Sequence, residues 1–209
     1  MRQYQTAVKR LGDPWCYSAS VQYSRLSGRL SGLRKLFLLR SRLRGELDVQ
    51  ALVDCGLTVG KGVYFAPWVL IDPGAAFLIS IGDNTTFAPR AHVLAHDAAC
   101  RHSLGYTRLA PVRIGSGVFV GADSLILPGV TIGDRAVIGA GSIVTRDVPA
   151  GAVVRGAPAE VVGTTAEITE RYRERLLKSP TFPPGHYRSA AGRVEMKGLI
   201  EKAGEGFMP

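Results

Sequence analysis

Cysteines and long apolar runs are both scarce in this sequence. Cys16, Cys55 and Cys100 are odd in number and widely spaced, so they predict no disulfide framework and fit a reducing compartment. The longest nearly unbroken apolar run, 63–71, contains Pro67 and is far shorter than the roughly 20 residues that cross a bilayer. The first ten residues are polar and lack the apolar core of a signal peptide. We therefore expect a cytoplasmic protein.

Acidic residues are also scarce relative to basic ones. The chain has 17 Asp and Glu against 26 Lys and Arg, which gives a formal net charge of +9. This balance favours an anionic partner: nucleic acid, a membrane surface or a phosphorylated small molecule. The basic residues are not interleaved with the aromatic side chains that are typical of a nucleic-acid platform. We therefore predict no nucleic-acid partner.

Much of the positive charge lies in the segment 25–44, which contains seven basic residues and no acidic one. Leucines at helical spacing within 23–47 predict a helix there, although Gly28 and Gly32 weaken it. Two interpretations stay open. The segment is either a helical cap with a solvated basic face, or a cationic amphipathic element that rests on an anionic membrane near a lipid-linked acceptor.

A six-residue repeat dominates the middle of the chain. Aliphatic residues occupy every sixth position at Ile114, Val120, Ile126, Ile132, Ile138 and Val144. Small or β-branched residues hold the fifth place of these hexads, at Val118, Ser124, Val130, Ala136, Ser142 and Val148. An earlier series runs through Val59, Phe65, Ile71 and Phe77 and resumes two places out of phase at Ile81, Phe87 and Val93.

This period excludes the two commonest architectures. A helix needs apolar residues every three or four positions and would be broken by the many Gly and Pro residues. A plain hairpin protein would not keep a six-residue period across so many units. A hexad that forms a short strand and a tight turn does fit, with the aliphatic residue pointing inward and stacked coils pairing their backbone groups. The sequence predicts an all-β core of stacked coils.

The same residues carry a family resemblance. The stretch 114–159, with PGVTIGD at 128–134, IGAGSIVTRDVP at 138–149 and GAPA at 156–159, resembles the hexapeptide-repeat acetyltransferases, particularly the sugar O-acetyltransferases of galactoside, maltose and surface-polysaccharide type. The resemblance implies a left-handed parallel β-helix with three hexads per coil, a homotrimer, and acetyl-coenzyme A as the acyl donor. It also implies a small-molecule or glycan acceptor and no metal ion.

The domain organisation follows from the limits of the repeat. We expect an N-terminal helical extension over 1–50 and a β-helix acyltransferase domain over 51–162. A C-terminal helix and tail should follow over 163–209. Thr164 and Glu167 match a capping box, which predicts a helix over 164–178, and the tail contains a short helical pattern near 194–203.

The repeat breaks once, and the break contains the best catalytic candidate. Val93 and Ile114 are 21 residues apart, so the pattern predicts a loop over 95–112 that leaves the coil. Acetyl transfer to an alcohol needs a base, and histidine is suited to that role near neutral pH. The family resemblance places the catalytic histidine at His96, twelve residues after the Asn of the IGDN motif at 81–84. We therefore interpret His96 as the general base.

The neighbouring polar residues allow more than one role. Asp97 either orients the imidazole or binds an acceptor hydroxyl, as a catalytic residue, or it is a carboxylate that caps the loop. His92 fits a surface or inter-subunit position, and His102 is a weaker candidate for substrate contact. Together with Cys100, these side chains could instead be zinc ligands, as in the carbonic anhydrases that share this coil. The later coils contain no histidine, which disfavours that alternative.

The resemblance also implies where coenzyme A binds. The family binds it in a groove between neighbouring subunits, lined by small residues that correspond here to Ala122 and Ala140, followed by Thr145 and Arg146. An arginine can pair with a phosphate. Relatives often carry a basic residue where this sequence has Glu160, and we expect Arg155 to substitute for it.

Other functions stay open at this level. An amino-sugar N-acetyltransferase would share the scaffold and the base, and a non-catalytic β-helix would lack a base in the loop. The acceptor and its acetylated position are not specified by any motif.

Overall fold

The computed structural model describes residues 44–209, which form two compact units, one ending at Val162 and the other comprising Gly163–Pro209. The predicted basic helix and its membrane role fall almost entirely on residues outside this range. Within 44–209, no helix combines the length and apolarity that crossing a membrane requires.

The first unit opens with helix α1, Val49–Asp54, whose N-terminus is capped because the Asp48 carboxylate accepts a hydrogen bond from the Ala51 amide. Short strands follow at regular intervals. Their bounds are β1 Thr58–Val59, β2 Tyr64–Phe65, β3 Leu70–Ile71, β4 Ile79–Ile81, β5 Thr86–Phe87, β6 His92–Val93, β7 His96–Asp97, β8 Arg108–Leu109, β9 Val112–Ile114, β10 Phe119–Val120, β11 Leu125–Ile126, β12 Thr131–Ile132, β13 Val137–Ile138, β14 Ile143–Val144, β15 Ala152–Arg155 and β16 Glu160–Thr164.

Most of these strands form three parallel sheets that enclose one core. Sheet A contains β1, β4, β9 and β12, and sheet C contains β3, β6, β11 and β14. Sheet B contains β2, β5, β10, β13, β15 and β16. The chain visits the sheets in the order A, B, C, so β1–β6 and β9–β14 make four coils of three strands. The fold is the predicted left-handed parallel β-helix.

The register of the coils confirms the hexad prediction. Each inward aliphatic residue lies beside its counterpart one coil away, as in the pairs Ile81–Ile114 and Ile126–Val144. From Ile71 to Val144 these residues are at most 3% exposed, apart from Phe77. Burying an aliphatic side chain contributes about 1.5–3 kcal/mol, and since a coil has no core of its own, stacking supplies this stabilisation.

The inward orientation predicted for Phe77 is wrong. Phe77 is 60% exposed and lies in a 3₁₀ helix, Ala76–Leu78, that is inserted between β3 and β4. The apparent phase change is therefore a four-residue insertion at one corner of the coil. Ile81, and not Phe77, continues the six-residue series of inward residues after Ile71.

Corners between the sheets require unusual backbone conformations. Between sheets B and C, one residue per coil has positive φ: Trp68, Arg90, Asp123 and Gly141. The glycine at position 121 meets a different requirement, because a Cβ there would lie 2.5 Å from the Ala140 nitrogen of the next coil. Stacking at the normal strand spacing leaves no room for a side chain at that position.

The corner between sheets C and A is interrupted in two successive coils. The first interruption is the insertion that contains the 3₁₀ helix. The second, between β6 and β9, is an antiparallel hairpin of β7 and β8 with helix α2, Arg101–Leu104, at its tip. The predicted excursion from the coil is therefore present, and it contains two short strands and one helical turn joined by loop residues.

The second unit is mainly helical. Helix α3, Thr165–Leu176, begins with the predicted capping box of Thr164 and Glu167. A 3₁₀ helix, His186–Arg188, precedes helix α4, Ala190–Ala203. Helix α4 begins four residues before the predicted helical pattern, because the Ser189 hydroxyl caps it by accepting from the Gly192 amide.

Candidate active site

His96 begins strand β7, immediately after the chain leaves sheet C. Its side chain is 38% exposed, so the imidazole is partly held by the protein and partly open to a ligand. Beneath it lies Asp72, which follows β3 in the preceding coil and is 1% exposed. Both residues occupy the corner between sheets C and A, because Asp72 directly follows β3 and His96 lies three residues after the end of β6, and both strands belong to sheet C.

Asp72 holds the imidazole through a dense set of hydrogen bonds. Its Oδ2 lies 2.5 Å from His96 Nδ1 and accepts from the backbone amides of Ala95 and His96 at 3.0 and 3.1 Å. Its Oδ1 accepts from the Gly74 amide at 3.0 Å. A buried carboxylate with so many donors has one orientation, and the imidazole that contacts it is fixed as well.

This contact determines which ring nitrogen can take a proton. An ionised carboxylate only accepts hydrogen bonds, so Nδ1 of His96 carries a hydrogen that it donates to Asp72. In the neutral imidazole, Nε2 is then the basic nitrogen. Asp72 also stabilises the imidazolium that forms when Nε2 takes up a proton. The pair is suited to general acid–base chemistry.

A cleft of about 450 Å³ opens beside His96. Its walls combine apolar side chains with a few polar ones: Leu94, His96, Asp97, Ala98, Arg108, Leu127, Pro128 and Thr145. The residues come from the β7–β8 hairpin and from the C-to-A corners of three successive coils. A concave site of this size with one histidine and few polar groups is a typical small-molecule site.

The other candidates in the hairpin have separate positions. Asp97 lines the cleft, but its Oδ1 accepts a hydrogen bond from the Ala99 amide at 2.8 Å, which matches the loop-capping interpretation. The carboxylate that contacts the imidazole is Asp72. Cys100 is the N-cap of α2, and His102 is exposed on that helix. His92 is exposed on β6, as expected for a surface position.

The side chains of the zinc alternative do not converge. Within residues 44–209, no group of three or more His, Cys, Asp or Glu side chains is arranged to hold a metal ion.

The residues predicted to bind coenzyme A lie at two corners. One set forms a column at the corner between sheets B and C: Ala122 and Ala140 follow β10 and β13, and Arg155 is the last residue of β15. Thr145 and Arg146 follow β14 and lie between sheets C and A, where Thr145 lines the cleft with His96. In a single chain, the two sets are thus on opposite edges of sheet C.

The charged side chains at these corners differ in their pairing. The Arg146 side chain is 76% exposed, and its Nη1 lies 3.9 Å from a carboxylate oxygen of Glu160. Such an exposed pair is weak and can be exchanged for another anion. At the B-to-C corner, Arg90 donates two hydrogen bonds to Asp123, each 2.6 Å long. The hydrogen bond from Arg90 lowers the pKa of Asp123 below its usual range.

Sequence reasoning missed two residues of the site. It did not assign Asp72 to the imidazole, and it did not assign Arg108 to the cleft. The phase change after Ile71 was the available signal for Asp72. If the phase change is interpreted as an insertion after a sheet C strand, Asp72 lies one coil below His96 at the same corner.

Comparisons with known proteins agree with the repeat. Residues 111–146, the third and fourth coils, match the family model described as the hexapeptide repeat of succinyl-transferase. The chain is 40% identical over 118 residues to YvoF of Bacillus subtilis (strain 168), an acetyltransferase by name, a match that covers 56% of this chain and 66% of YvoF. It is 39% identical over 105 residues to the galactoside O-acetyltransferase of Escherichia coli (strain K12), which covers 49% of this chain and 50% of that protein.

Solved structures also align with part of this chain. The maltose O-acetyltransferase from Clostridium difficile 630 aligns with 30% identity and a TM-score of 0.46 over 59% of this chain and 81% of that chain. The chain spans between half and two thirds of the length of the two curated relatives. The repeat and these matches identify the chain as a hexapeptide-repeat protein and confirm its resemblance to the acetyltransferases of that kind.

Proposed function

We propose that the protein is an acetyl-CoA-dependent acetyltransferase that acetylates a hydroxyl group of a sugar or a similar acceptor. The observation that carries this proposal is the His96–Asp72 pair, which opens into a cleft on a hexapeptide β-helix. The similarity to a galactoside O-acetyltransferase supports acetyl transfer and favours a hydroxyl acceptor.

In the proposed reaction, His96 first acts as a base and then as an acid. Its Nε2 takes the proton of the acceptor hydroxyl while the hydroxyl oxygen attacks the carbonyl carbon of the thioester. The carbon–sulfur bond then breaks, and Nε2 returns the proton to the departing thiolate. The products are an acetyl ester and the free thiol. Asp72 touches neither substrate, and its proposed role is to position and stabilise the imidazole.

The residues at the two corners fit an acyl donor with a long arm and terminal phosphates. Small residues such as Ala122 and Ala140 let a pantetheine arm approach the backbone, and Arg146 and Arg155 are exposed cations that suit phosphates. Because one corner borders the cleft of His96 and the other does not, a single chain supplies only part of such a groove. We propose that a neighbouring subunit supplies the rest.

Replacing Arg146 tests the donor assignment. A charge-assisted contact to phosphate contributes about 1.5–3 kcal/mol, so Arg146→Ala should raise the KM for acetyl-CoA roughly tenfold or more. The acceptor KM should change little, because Arg146 does not line the cleft. Initial rates at varied donor and acceptor concentrations measure both constants. Arg113→Ala, which removes an exposed arginine from the outer surface of sheet A, is the matched control. Equal acetyl-CoA KM values for Arg146→Ala and the unaltered protein would contradict the assignment of Arg146 to the donor site.

The proposed assembly is a homotrimer. The outward side chains of sheets B and C include large exposed apolar residues, namely Tyr64 (59%), Leu70 (40%), Phe119 (44%) and Ile143 (36%). Those of sheet A are polar, namely Thr58, Ser80, Arg113 and Thr131. Copies of the chain should therefore pack through the sides formed by sheets B and C.

Sedimentation equilibrium tests the assembly. We expect a species of three chains, and Phe119→Glu on sheet B should weaken it because the substitution puts a charge into an apolar contact. Thr131→Glu on sheet A is the matched control and should leave the trimer intact. A monomeric protein with full activity would contradict the proposal.

A thiol-release assay tests the activity itself. Purified protein with acetyl-CoA should release thiol only when a suitable acceptor is present, and a panel of sugars and their amino derivatives identifies the class. Transfer to hydroxyl acceptors is the expected result. Transfer to amines alone would show that the acceptor group is an amine and not a hydroxyl. If no acceptor in the panel stimulates thiol release, the result would count against the proposal.

A further inference from the structure

Arg108 is the second charged side chain that the hairpin brings to the cleft. In the antiparallel register, Leu109 pairs with His96 and Arg108 pairs with Asp97. The hairpin therefore carries Arg108 back to the point where the chain left the coil. Arg108 lines the same cleft as His96.

The backbone of the third coil holds the guanidinium in place. Arg108 Nη1 donates a hydrogen bond to the Pro128 carbonyl at 3.1 Å. Gly129 has a φ of +93°, and a Cβ at that residue would lie 3.0 Å from Arg108 Nη2. The guanidinium thus lies against a corner where glycine leaves room for it. Because the group is already held in one orientation, it loses little conformational freedom on binding a ligand.

Arg108 has no acidic partner among residues 44–209. No carboxylate of that range lies within 4.0 Å of its guanidinium nitrogens. Asp97, the cross-strand neighbour, turns one oxygen to the Ala99 amide. The Pro128 carbonyl satisfies only one of the five N–H donors of the guanidinium. A cation that is anchored by the backbone and has no carboxylate partner within 44–209 is suited to a carboxylate or phosphate of a ligand.

We propose that Arg108 is a specificity residue that selects an acceptor bearing an anionic group, a carboxylate or a phosphate, near the hydroxyl that is acetylated. This inference rests on the proposed acetyl transfer at His96. An anionic group at Arg108 would place the rest of a small acceptor over the imidazole, since both side chains border one cleft of about 450 Å³.

The anion that Arg108 binds belongs to the acceptor and not to the donor. In acetyl-CoA, the whole pantetheine arm separates the thioester from the phosphates. A donor whose thioester reaches His96 therefore carries its phosphates away from the imidazole and out of this cleft. The exposed cations outside the cleft, such as Arg146, suit those phosphates. If Arg108 binds an anionic group of the acceptor, its replacement should raise the acceptor KM. If it binds the phosphates of acetyl-CoA, its replacement should raise the donor KM.

Matched acceptor pairs test the inference. Titration calorimetry compares galacturonate with galactose, and glucose 6-phosphate with glucose, on the protein and on Arg108→Gln. The unaltered protein should bind at least one anionic member about 10- to 100-fold more tightly than its neutral partner, as expected for one charge-assisted contact. Arg108→Gln should reduce that preference to near unity. Arg108→Lys should restore part of it, and Arg113→Gln should leave it unchanged.

Kinetics separate this role from the alternatives. Where a pair is acetylated, Arg108→Gln should raise the KM of the anionic member and leave the acetyl-CoA KM unchanged. A raised acetyl-CoA KM would assign Arg108 to the donor, and an equal loss of kcat with both members would assign it to the reacting carbonyl oxygen. Either result, or equal binding of anionic and neutral members by the unaltered protein, overturns the inference. Anion preference without any acetyl transfer would instead contradict the proposed function alone.

Discussion

His96→Ala should lower kcat by about 10²–10⁴, the span that general acid–base catalysis contributes. The imidazole faces the reacting oxygen in our proposal, so the acetyl-CoA KM should change little. The pH profile should change as well. A general base must be unprotonated to accept the proton of the acceptor hydroxyl, so kcat/KM of the unaltered protein should fall toward acid pH. The variant should lack that limb. Initial rates of thiol release on both sides of neutral pH measure both effects.

Two histidines of the same chain provide controls. His92 is exposed on β6 and His102 is exposed on α2, and neither lines the cleft. Their alanine variants should keep most of the activity and the acidic limb. A folded His96→Ala protein that turns over at the rate of the unaltered protein would place the chemistry on another residue.

Asp72→Asn should also reduce kcat strongly, by up to about 10⁴-fold, the loss known when the corresponding carboxylate of a serine protease triad becomes an amide. The substitution keeps the volume of the buried side chain but replaces one carboxylate oxygen with a donor. An amide nitrogen that faces Nδ1 would favour the tautomer with hydrogen on Nε2, which cannot act as a base. Losing the negative charge also destabilises the imidazolium. The steady-state pH profile distinguishes this positioning role from a purely structural one, because its acidic limb should move.

Asp97→Asn is the matched control for Asp72→Asn. Asp97 contacts the Ala99 amide and is exposed, so its conversion to the amide should leave the imidazole in place and change kcat only modestly. Thermal unfolding of both variants shows whether either loses structure. A larger loss of kcat in Asp97→Asn than in Asp72→Asn would reverse the roles given to the two carboxylates.

The sequence was sufficient to predict the scaffold because the core of a β-helix repeats. Residues from Ile114 to Val144 meet the same environment in each strand, so one rule describes them all. The prediction for Phe77 was wrong because the corner insertion is also apolar. The insertion therefore changes which side chain points inward without changing the apolar character of the segment. The spacing of apolar residues alone does not show whether the repeat has changed phase or whether residues have been inserted at a corner.

The site was predictable only in part, for a different reason. His96 lies on a family motif and at a break in the repeat, so two signals converge on it. Asp72 and Arg108 meet it through stacking and through the hairpin register, which are contacts between segments distant in sequence. Asp97 looked equally suitable because it adjoins His96 in the chain. Adjacent residues of a strand point to opposite sides, so proximity in sequence does not place a carboxylate against the imidazole.

The product of the reaction provides the most direct test of acetyl transfer at His96. The protein is incubated with acetyl-CoA labelled in the acetyl group and with the best acceptor of the sugar panel, and both products are quantified by mass spectrometry. We predict one labelled acetyl ester on the acceptor for each thiol released, and a much slower formation of both products with His96→Ala. Thiol release without a labelled acceptor, or equal rates for the two proteins, would contradict it.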